Sequence, residues 1–506
     1  MKKARLLSLL LLLAMLIGVF ASCDNAGGKN DGGDRVGDSW EGVDFEGQEV
    51  NFCISVNQYE EATFPAADIY TRGPDTAGSN EVAKEVLARN AAAEKDLGVK
   101  IMYSTRDLTY NKILDDVKSI VMTSAKDSPD IYNNDLNGLS WAMAEGCFWN
   151  VKNPGEGVKN YFDFKKDGWY EEYIKCMTFD QEKLYIVAGD YFIDMIRMAW
   201  VVYVNHDILQ ANANALPQWA KTVDDFYATV EAGYWDMDDM IEICAAVHSD
   251  GGLMGITERN DPVVGLTTHQ VTHMVYPSSS GITLYYLDKA NGYKACVISD
   301  IDMFQKLANK YTELTTAKGV FMTAPQTIGI QDNTIHFTEG NVLFATQRLG
   351  EMESSALRDF QANKGLVPIP KWNSNAQEDY HTVIHNQVEL AAILNTAKTF
   401  SASSALLQYL NENSKAVVNA YYEKGLKYKY NSDKNARAMM DLIRECTDDP
   451  FSLTIGRLCE DMYTGTGDLK VVSLYNSTTI ASTFAAEKDA YNDCMNKVIE
   501  KFKNFD

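Results

Sequence analysis

The chain has 506 residues, a hydrophobic fraction of 46% and a formal net charge of −24 at pH 7. This acidity opposes contact between a basic face and the phosphate backbone of a nucleic acid, so we expect no nucleic-acid partner. The length exceeds that of one ordinary domain and favours two or three folding units, of which two lobes is the most economical arrangement.

The amino terminus has the pattern of a secretory signal. A basic start with Lys2, Lys3 and Arg5 precedes an uncharged stretch from Leu6 to Phe20. This stretch is shorter than the ~20 apolar residues that a spanning helix needs, so a permanent transmembrane helix is the weaker alternative. We therefore predict a signal peptide over residues 1–22, whose removal leaves a chain of net charge −27.

The predicted signal ends in Val19-Phe20-Ala21-Ser22-Cys23, a segment that resembles the lipobox of bacterial lipoproteins. Small residues before the cysteine let a peptidase bind the extended backbone, and the thiol is the nucleophile that takes up lipid through a thioether. The resemblance implies that Cys23 becomes the lipidated, palmitate-bearing first residue and holds the chain on the extracytoplasmic face of the cell membrane. The alternative is an ordinary cleavage site with an incidental cysteine.

Residues 23–42 form a polar, glycine-rich segment that includes Asp24 to Asp34. This segment has almost nothing to bury, so we predict a flexible tether. No later segment is long and apolar enough to span a bilayer, and the body of the protein is expected to be water-soluble.

Strand-like and helix-like segments alternate in the first half of the body, which predicts a parallel sheet with crossover helices. Apolar residues at helical spacing mark the helices, and Gly98 ends the first of them. The predicted elements are a strand over Glu49 to Val56, a helix over Glu81 to Leu97, a strand over Val99 to Tyr103, a helix over Tyr110 to Met122, and a strand tip over Asp130 to Tyr132.

The same pattern resumes beyond the middle of the chain. The sequence predicts strands over Leu184 to Ala188 and Ala199 to Val204, and helices over Ile301 to Thr312 and Ser401 to Leu410. There is no internal repeat and no second low-complexity linker. Two lobes would therefore be joined by ordered strands that cross between them.

A series of blocks stands in a characteristic order from about residue 46 to the end of the chain. The blocks are Arg89 to Ile101, Ser128 to Tyr132, Lys183 to Asp190, Val201 to Asn205, Glu231 to Met240 with a Gly-x-Trp-x-x-Asp pattern, Phe337 to Phe344, Gly365 to Lys371 with a Pro-x-Pro-Lys pattern, and Tyr421 to Lys429. In this order they resemble the extracellular solute-binding proteins of bacterial ABC importers (family 1), in particular the large lipoprotein branch assigned to sugars and oligosaccharides.

The resemblance implies an α/β fold of two doubly wound lobes joined by crossover strands, the type II arrangement of periplasmic binding proteins. It places residues 46–188 and 384–430 in the N-terminal lobe, and 189–383 and 431–506 in the C-terminal lobe. It implies a protein without catalytic activity or cofactor that captures a small solute, such as a sugar, and delivers it to an ABC permease. Many relatives carry a calcium-type loop near His248, but Ser249-Asp250-Gly251-Gly252 is too short to supply those ligands, so no metal is expected.

Sugar sites combine flat aromatic faces with planar polar side chains. Open α/β sheets bind ligands outside the carboxyl ends of their strands, so the segments after the predicted strands are the candidates. The predicted ligand-binding residues are Tyr59, Asn134, Asp135, Trp141, Asp190, Tyr191 and Arg348. The alternative is an ordinary loop position and, for Arg348, a surface ion pair. Trp235 is expected to pack in the core, and Trp372 is at best a residue of the rim.

The sequence gives little evidence of catalytic motifs. His269 and His273 are four residues apart, as zinc ligands on a helix are, but no glutamate follows His269, so ordinary histidines are favoured. G-x-S-x-G, Walker A and G-x-G-x-x-G motifs are absent. An exported polysaccharide hydrolase is the alternative function, because a pair among the acidic residues can imitate a glycosidase site. A surface adhesin or structural lipoprotein is the third possibility.

Overall fold

The computed structural model describes residues 40–55, 68–73 and 80–503, except positions 126, 181, 253–256, 270–271, 273–274, 283–284, 293, 324–330, 430–433 and 447–478. The predictions for Cys23, Tyr59 and His273 lie outside these residues. The described strands are β1 (Gln48–Ser55), β2 (Val99–Arg106), β3 (Ile131–Asp135), β4 (Ile186–Val187), β5 (Trp200–Asn205), β6 (Val264–His269), β7 (Tyr285–Asp288), β8 (Lys294–Val297), β9 (Val320–Thr323), β10 (Val342–Arg348), β11 (Lys364–Val367) and β12 (Glu389–Ile393).

The described α-helices lie between and after these strands. They are α1 (Asp68–Thr71), α2 (Glu81–Leu97), α3 (Tyr110–Thr123), α4 (Leu136–Ala144), α5 (Glu171–Cys176), α6 (Asp194–Arg197), α7 (His206–Ala211), α8 (Val223–Glu231), α9 (Met237–Val247), α10 (Val275–Ser278), α11 (Ile301–Thr315), α12 (Gln331–Thr338), α13 (Ser355–Asp359), α14 (Phe400–Glu412), α15 (Lys415–Val418), α16 (Lys434–Glu445) and α17 (Ile480–Lys503). Short 3₁₀ helices cover Gln218–Ala220 and Leu349–Glu353, and a π-helix covers Asn419–Lys429.

The first sheet has the strand order β2-β1-β3-β12-β4. β1 pairs in parallel with both β2 and β3, whereas β12 runs antiparallel between β3 and β4. Parallel neighbours need crossover connections, and α2 and α3 supply them between β1, β2 and β3. The parallel sheet predicted from the alternation of strands and helices is confirmed for these three strands.

Local sequence signals set both ends of α2. The Asn80 side chain accepts a hydrogen bond of 3.2 Å from the Ala83 backbone N–H, which would otherwise lack a partner in the first turn. At the other end, Gly98 adopts a φ of 61°. A Cβ at this position would approach Asp44 Oδ1 to 2.0 Å, so only glycine fits where the chain leaves α2 and enters β2.

The second sheet has the strand order β11-β5-β10-β6-β9. β10, β6 and β9 are parallel, and β5 is antiparallel to both of its neighbours. Every residue of β5, β6 and β10 is buried, as expected when both faces of a sheet are covered. Trp235 is fully buried beside Phe226, and its Nε1 donates to the Pro368 carbonyl, which confirms its predicted position in the core.

Two chain segments cross between the sheets and pair with each other. The Trp200 N–H donates to the Val383 carbonyl at 2.9 Å, and the His385 N–H donates to the Met198 carbonyl at 2.8 Å. The chain therefore has two α/β lobes joined by ordered crossover strands, as predicted. A third connection runs through the π-helix, which packs on α2, and then through α16, which packs on β11.

The lobes are not continuous in sequence, because β12 returns to the first sheet after β11 of the second. The predicted lobe bounds at residues 188, 383 and 430 stay a prediction. Within the described part of the chain, no helix has the length and apolar character needed to cross a bilayer.

Candidate ligand-binding site

The carboxyl ends of strands from both sheets meet at the crevice between the lobes. In the first sheet, β3 ends at Asp135, which is paired with Glu389 at the start of β12. In the second sheet, β10 ends at Arg348, which is paired with Trp200 at the start of β5. Open α/β sheets bind ligands outside such strand ends, so this crevice is the candidate site.

A group of buried charged and polar side chains fills the crevice, and we refer to it as the crevice cluster. Its residues come from the first lobe, from the first crossover segment, from the end of β10 and the chain after it, and from the π-helix. The members of the crevice cluster are Tyr70, Asn133, Asp194, Arg197, Arg348, Glu351, Glu353, Glu389 and Tyr421.

Arg197 lies at the centre of the cluster. Its Nη1 donates to Asp194 Oδ1 at 2.8 Å, and its Nε donates to Glu353 Oε1 at 3.2 Å. Asp194 and Arg197 are both on α6 in the crossover, whereas Glu353 ends the 3₁₀ helix that follows β10. Because all three side chains are nearly inaccessible to solvent, their charges depend on one another for compensation.

Two tyrosines, Tyr70 of the first lobe and Tyr421 of the π-helix, reach the same carboxylate. The Tyr70 hydroxyl donates to Glu353 Oε2 at 2.6 Å, and the Tyr421 hydroxyl donates to Glu353 Oε1. The guanidinium carbon of Arg197 lies 4.9 Å from the centre of the Tyr70 ring. Hydrogen bonds to an ionised group are stronger than hydrogen bonds between neutral groups. The hydrogen bonds of Glu353 therefore connect the two lobes strongly.

Glu389 connects the first sheet to the crossover segment. Its backbone N–H donates to Asp194 Oδ2 at 2.8 Å, and its side-chain Oε2 accepts a hydrogen bond of 3.2 Å from Asn133 Nδ2. Asn133 lies on β3 next to the strand end and is fully buried. These contacts put a carboxylate and an amide at the carboxyl edge of the first sheet.

Arg348, the last residue of β10, is the member of the crevice cluster that this strand provides. Its Nη2 lies 3.8 Å from Glu351 Oε2, and its Nη1 contacts Met198 Sδ at 3.7 Å. The imidazole of His385 packs edge-on against the Trp200 indole at a ring distance of 5.4 Å. Arg348 is therefore in a buried ion pair, and the surface ion pair considered as its alternative is wrong.

Burial shifts the pKa values of the ionisable groups in the crevice. It raises the pKa of Glu351 to about 7, although Arg348 acts in the opposite direction. Burial also raises the pKa of Asp194, and together with the charge of Arg348 it holds the pKa of His385 well below its ordinary value. His385 is therefore neutral at pH 7, and Glu351 takes up a proton near neutrality.

Such an arrangement offers fixed hydrogen-bond donors and acceptors at several angles. Guanidinium, carboxylate and amide groups are planar and match the hydroxyl groups of a polyol. The rings of Tyr70, Tyr421 and Trp200 are buried in this conformation and would be exposed to a ligand only by separation of the lobes. Among the described residues, no group of His, Cys, Asp and Glu side chains is arranged to hold a metal ion.

The predicted residues at the end of β3 lie at the edge of the crevice but have local roles. Asp135 caps α4 by accepting from the Asn137 N–H at 2.7 Å, and the Asn134 side chain accepts from the Asp135 N–H at 2.8 Å. Trp141 lies on α4 and packs against Tyr110 at a ring distance of 5.9 Å. All three predicted residues are buried.

The two predicted residues that follow β4 differ in burial. Tyr191 is fully buried, donates its hydroxyl to the Val187 carbonyl at 2.9 Å and packs on Trp169, so it offers no surface to a ligand in this conformation. Asp190 lies in a surface groove of about 710 Å³ that is also lined by Lys415 and Arg444. Burial raises the pKa of Asp190 to about 6, and Tyr170 donates to it at 3.4 Å.

Of the crevice cluster, the sequence predicted only Arg348. The sequence nevertheless contains a pattern that marks three of the other residues. Asp194 and Arg197 interrupt an apolar run from Phe192 to Trp200, and Glu389 interrupts another from Val388 to Leu394. Charged residues within apolar runs are either paired or functional when they are buried, so these three positions could have been selected. No feature of the neighbouring sequence distinguishes Tyr70 or Tyr421 from the other tyrosines of the chain.

No protein-family model matches the sequence, and no curated protein matches it. Solved structures do match. The unliganded and acarbose-bound GacH receptor of Streptomyces glaucescens has a TM-score of 0.52 at 11% identity, covering 91% of this chain and 100% of that chain. An ABC transporter solute-binding protein of Thermotoga lettingae, bound to alpha-D-tagatose, has a TM-score of 0.53 at 11% identity, covering 88% and 100%.

A third structure is the galacto-N-biose-/lacto-N-biose I-binding protein of an ABC transporter from Bifidobacterium longum, in complex with lacto-N-biose. Its TM-score is 0.50 at 14% identity, covering 91% of this chain and 98% of that chain. This chain has the fold of ABC-transporter solute-binding proteins. In this solute-binding-protein fold, the crevice cluster occupies the strand ends between the two lobes, where open α/β sheets take their ligands.

Proposed function

We propose that the protein is the membrane-anchored solute-binding component of an ABC importer and that it captures a sugar or oligosaccharide between its lobes. The observation that carries this proposal is the crevice cluster, in which buried planar polar groups from both lobes meet at strand ends. Arg197 belongs to the crossover segment, Glu353 to the second lobe and Glu389 to the first lobe.

The sugar class is supported by side-chain chemistry and by the fold. Carboxylate and guanidinium groups bind vicinal hydroxyls through paired hydrogen bonds, and aromatic rings cover the apolar face of a pyranose. The three structural neighbours named above were solved with acarbose, alpha-D-tagatose and lacto-N-biose. We transfer the carbohydrate class to this chain as part of the proposal.

Capture requires the lobes to separate and close. Glu353 is bonded to Tyr70 of the first lobe and to Tyr421 of the π-helix, so a solute that enters between the lobes must replace these contacts with its own. A solute that touches both lobes binds the closed state better than the open state and shifts the population towards it. The permease subunits would thereby distinguish the loaded protein from the empty one.

The predicted lipid anchor would assist delivery of the solute to a permease. A lipid on Cys23 and a tether over residues 23–42 would keep the lobes near one membrane and raise their effective concentration at the importer. The protein would then act at the extracytoplasmic face of the cell membrane, with the permease as its protein partner.

A binding role without catalysis is favoured over hydrolysis. Asp194 and Glu353 are a close carboxylate pair, but both are bonded to Arg197, which holds them as acceptors and not as a free acid and base. A glycosidase needs one protonated and one ionised carboxyl group placed on either side of the scissile bond. The hydrolase stays the alternative function.

The proposal is tested by a thermal-shift screen of the purified body, residues 40–506, against monosaccharides and oligosaccharides. We expect at least one carbohydrate to raise the melting temperature, since a ligand that binds only the folded state stabilises it. The same samples are analysed for hydrolysis products. Release of shorter sugars would support the hydrolase, and the absence of stabilisation by every carbohydrate would contradict the sugar assignment.

A further inference from the structure

A short segment, residues 40–47, precedes β1 and is attached to the first lobe. Its first residue, Trp40, stacks on Tyr161 at a ring distance of 5.9 Å and packs against Tyr409 at 5.6 Å. The indole Nε1 of Trp40 donates to Glu412 Oε2 at 3.1 Å. Tyr161 lies between α4 and α5, and Tyr409 and Glu412 are in the last turn of α14. We refer to these contacts of Trp40 as the Trp40 clamp.

The partners of Trp40 are held by contacts of their own. The Tyr409 hydroxyl donates to Asp96 Oδ2 on α2 at 2.6 Å, and Gln408 Nε2 donates to Glu412 Oε1 at 2.7 Å. Each oxygen of Glu412 therefore accepts one hydrogen bond, and both bonds would be lost if the side chain turned away. An aromatic pair contributes about 0.5–1.5 kcal/mol beyond the area that it buries. The Trp40 clamp is thus a specific attachment to two helices of the first lobe.

The residues after Trp40 continue this attachment up to β1. The Val43 N–H donates to the Trp40 carbonyl at 3.1 Å, and the Val43 side chain is buried. The Phe45 ring packs edge-on against Tyr161 at 5.8 Å, and the Phe45 N–H donates to the Leu97 carbonyl at 2.9 Å. The fixed end of the predicted tether is therefore at Trp40, although the prediction extended the tether to residue 42.

The length of chain before Trp40 limits the distance between the body and the predicted lipid anchor. Residues 23–39 are 17 residues, and a flexible glycine-rich chain of this length has a root-mean-square end-to-end distance of about 21–25 Å. A compact body of the size of residues 40–506 has an expected radius of gyration of about 23 Å, which corresponds to a diameter of about 60 Å. Because the reach of the tether is less than half of this diameter, the side of the body that carries Trp40 should face the membrane.

The surface beside the clamp is less acidic than the rest of the protein. Residues 149–170, which include Tyr161, contain four lysines and three acidic residues, whereas the chain without its signal has a net charge of −27. Lys159 and Lys165 are exposed, and the Lys159 ammonium group lies 4.8 Å from the centre of the Tyr161 ring. A membrane that contains anionic lipid repels this side less than it repels an acidic side.

We propose that the Trp40 clamp fixes the point at which the tether leaves the body and turns the side of the first lobe around Tyr161 towards the lipid surface. This inference rests on the proposed membrane anchor and goes beyond it by naming the face of the protein that lies against the membrane. The tether is then attached to the first lobe, so the second lobe can move relative to the first without stretching it.

The clamp itself is tested by hydrogen exchange on the chain from residue 24 to residue 506, with an amino-terminal hexahistidine tag in the place of Cys23. Trp40→Ala removes the ring and the indole donor, and Trp219→Ala, at a half-buried tryptophan of the second lobe, is the matched control. We expect the amides of residues 41–45 to exchange at least about tenfold faster in Trp40→Ala and at the wild-type rate in Trp219→Ala. Unchanged protection of these amides in Trp40→Ala would overturn the clamp.

The orientation is tested with the same tagged chain on vesicles of phosphatidylcholine and phosphatidylglycerol. The vesicles contain a nickel-chelating lipid that binds the tag and a phospholipid with an amine-reactive head group. Mass spectrometry measures the modification of each lysine, which is divided by its modification with a soluble ester of the same chemistry. We expect this ratio to be at least about threefold higher at Lys159 and Lys165 than at Lys306 and Lys318, which are exposed lysines of the second lobe.

The excess modification near the clamp should depend on Trp40. In Trp40→Ala it should fall by at least about half, because the free chain is then longer and ends closer to β1, while Trp219→Ala should keep the wild-type excess. Equal ratios on the two lobes in the wild type, or an undiminished excess in Trp40→Ala, would contradict the proposal. The tag replaces the lipid and no sugar is used, so a chain that is not lipidated at Cys23, or that binds no carbohydrate, refutes the proposed function without changing this result.

Discussion

Tyr70 of the first lobe donates its hydroxyl to Glu353 of the second lobe at 2.6 Å, and both side chains are buried. The two residues are 283 positions apart in the chain. Their hydrogen bond reports directly on whether the lobes are in contact, because hinge opening would separate the two atoms. Glu353 also joins Arg197 and Tyr421, so one carboxylate links both lobes to the crossover.

The substitution Tyr70→Phe removes only the hydroxyl that bonds to Glu353. Because a hydrogen bond to a charged group contributes about 1.5–3 kcal/mol, we expect the free energy of unfolding to fall by about that amount. Urea denaturation measures the change, and Tyr234→Phe, at a position 63% exposed, is the control. Equal stability of the two variants would show that the interlobe bond contributes nothing.

Arg197→Met leaves Asp194 and Glu353 without their buried cation. Removing one member of a buried ion pair costs about 3–5 kcal/mol because the remaining charge is uncompensated. The double variant Arg197→Met with Glu353→Gln should recover part of that loss, since one of the uncompensated charges is gone. Denaturation of the single and double variants measures this coupling, and strictly additive losses would contradict it.

The stability of the protein should depend on pH through Glu351. Its pKa is raised to about 7 in the folded chain by burial, so the folded state holds a proton that the unfolded state releases at lower pH. Stability from this group is therefore complete below the unfolded pKa and is lost as pH rises towards 7. The neighbouring charges are those of Arg348 and Glu353.

Glu351→Gln cannot lose this proton, so the variant should gain stability relative to the wild type as pH rises. We expect the difference in unfolding free energy to change by about 2 kcal/mol between pH 5 and pH 8. Chemical denaturation at both pH values measures it, with the exposed Glu313→Gln as control. A difference that is the same at both pH values would show that Glu351 is ionised in the folded protein throughout this range.

The substitution Cys23→Ser tests the anchor. In a bacterial host that processes lipoproteins, the wild-type chain should take up labelled fatty acid and fractionate with the membrane, whereas the variant should do neither. The reason is that serine lacks the thiol that forms the thioether. Cys296→Ser, on the β8 strand, is the control and should behave as the wild type does. Labelling of the Cys23 variant would place the lipid elsewhere.

The helices and sheets could be predicted wherever the sequence carries local information. The helix over Glu81 to Leu97 has the predicted bounds, because Asn80 and Gly98 supply the signals at its two ends. The helix predicted over Ile301 to Thr312 extends to Thr315. The strand predicted over Leu184 to Ala188 has only Ile186 and Val187 in the ladder, since it is an edge strand paired on one side with β12.

The site could be predicted only in part, because its residues come together through the tertiary fold. Arg348 could be selected from its place at a strand end. Arg197 and Tyr421 both donate to the carboxylate of Glu353, although the three residues come from distant segments of the chain. No local sequence pattern shows that they meet. The same rule selected Tyr191, whose side chain is fully buried with its hydroxyl bonded to the Val187 carbonyl.

Isothermal titration of the carbohydrate that gives the largest thermal shift tests the central claim most directly. The wild-type body is compared with Glu389→Gln, which changes a crevice carboxylate to an amide, and with Glu412→Gln, which lies in the surface groove beside Lys415. We predict saturable binding without release of shorter sugars, weakened at least about tenfold by Glu389→Gln and unchanged by Glu412→Gln. Binding that is unaffected by Glu389→Gln, or lost in Glu412→Gln, would place the ligand outside the crevice and contradict the account.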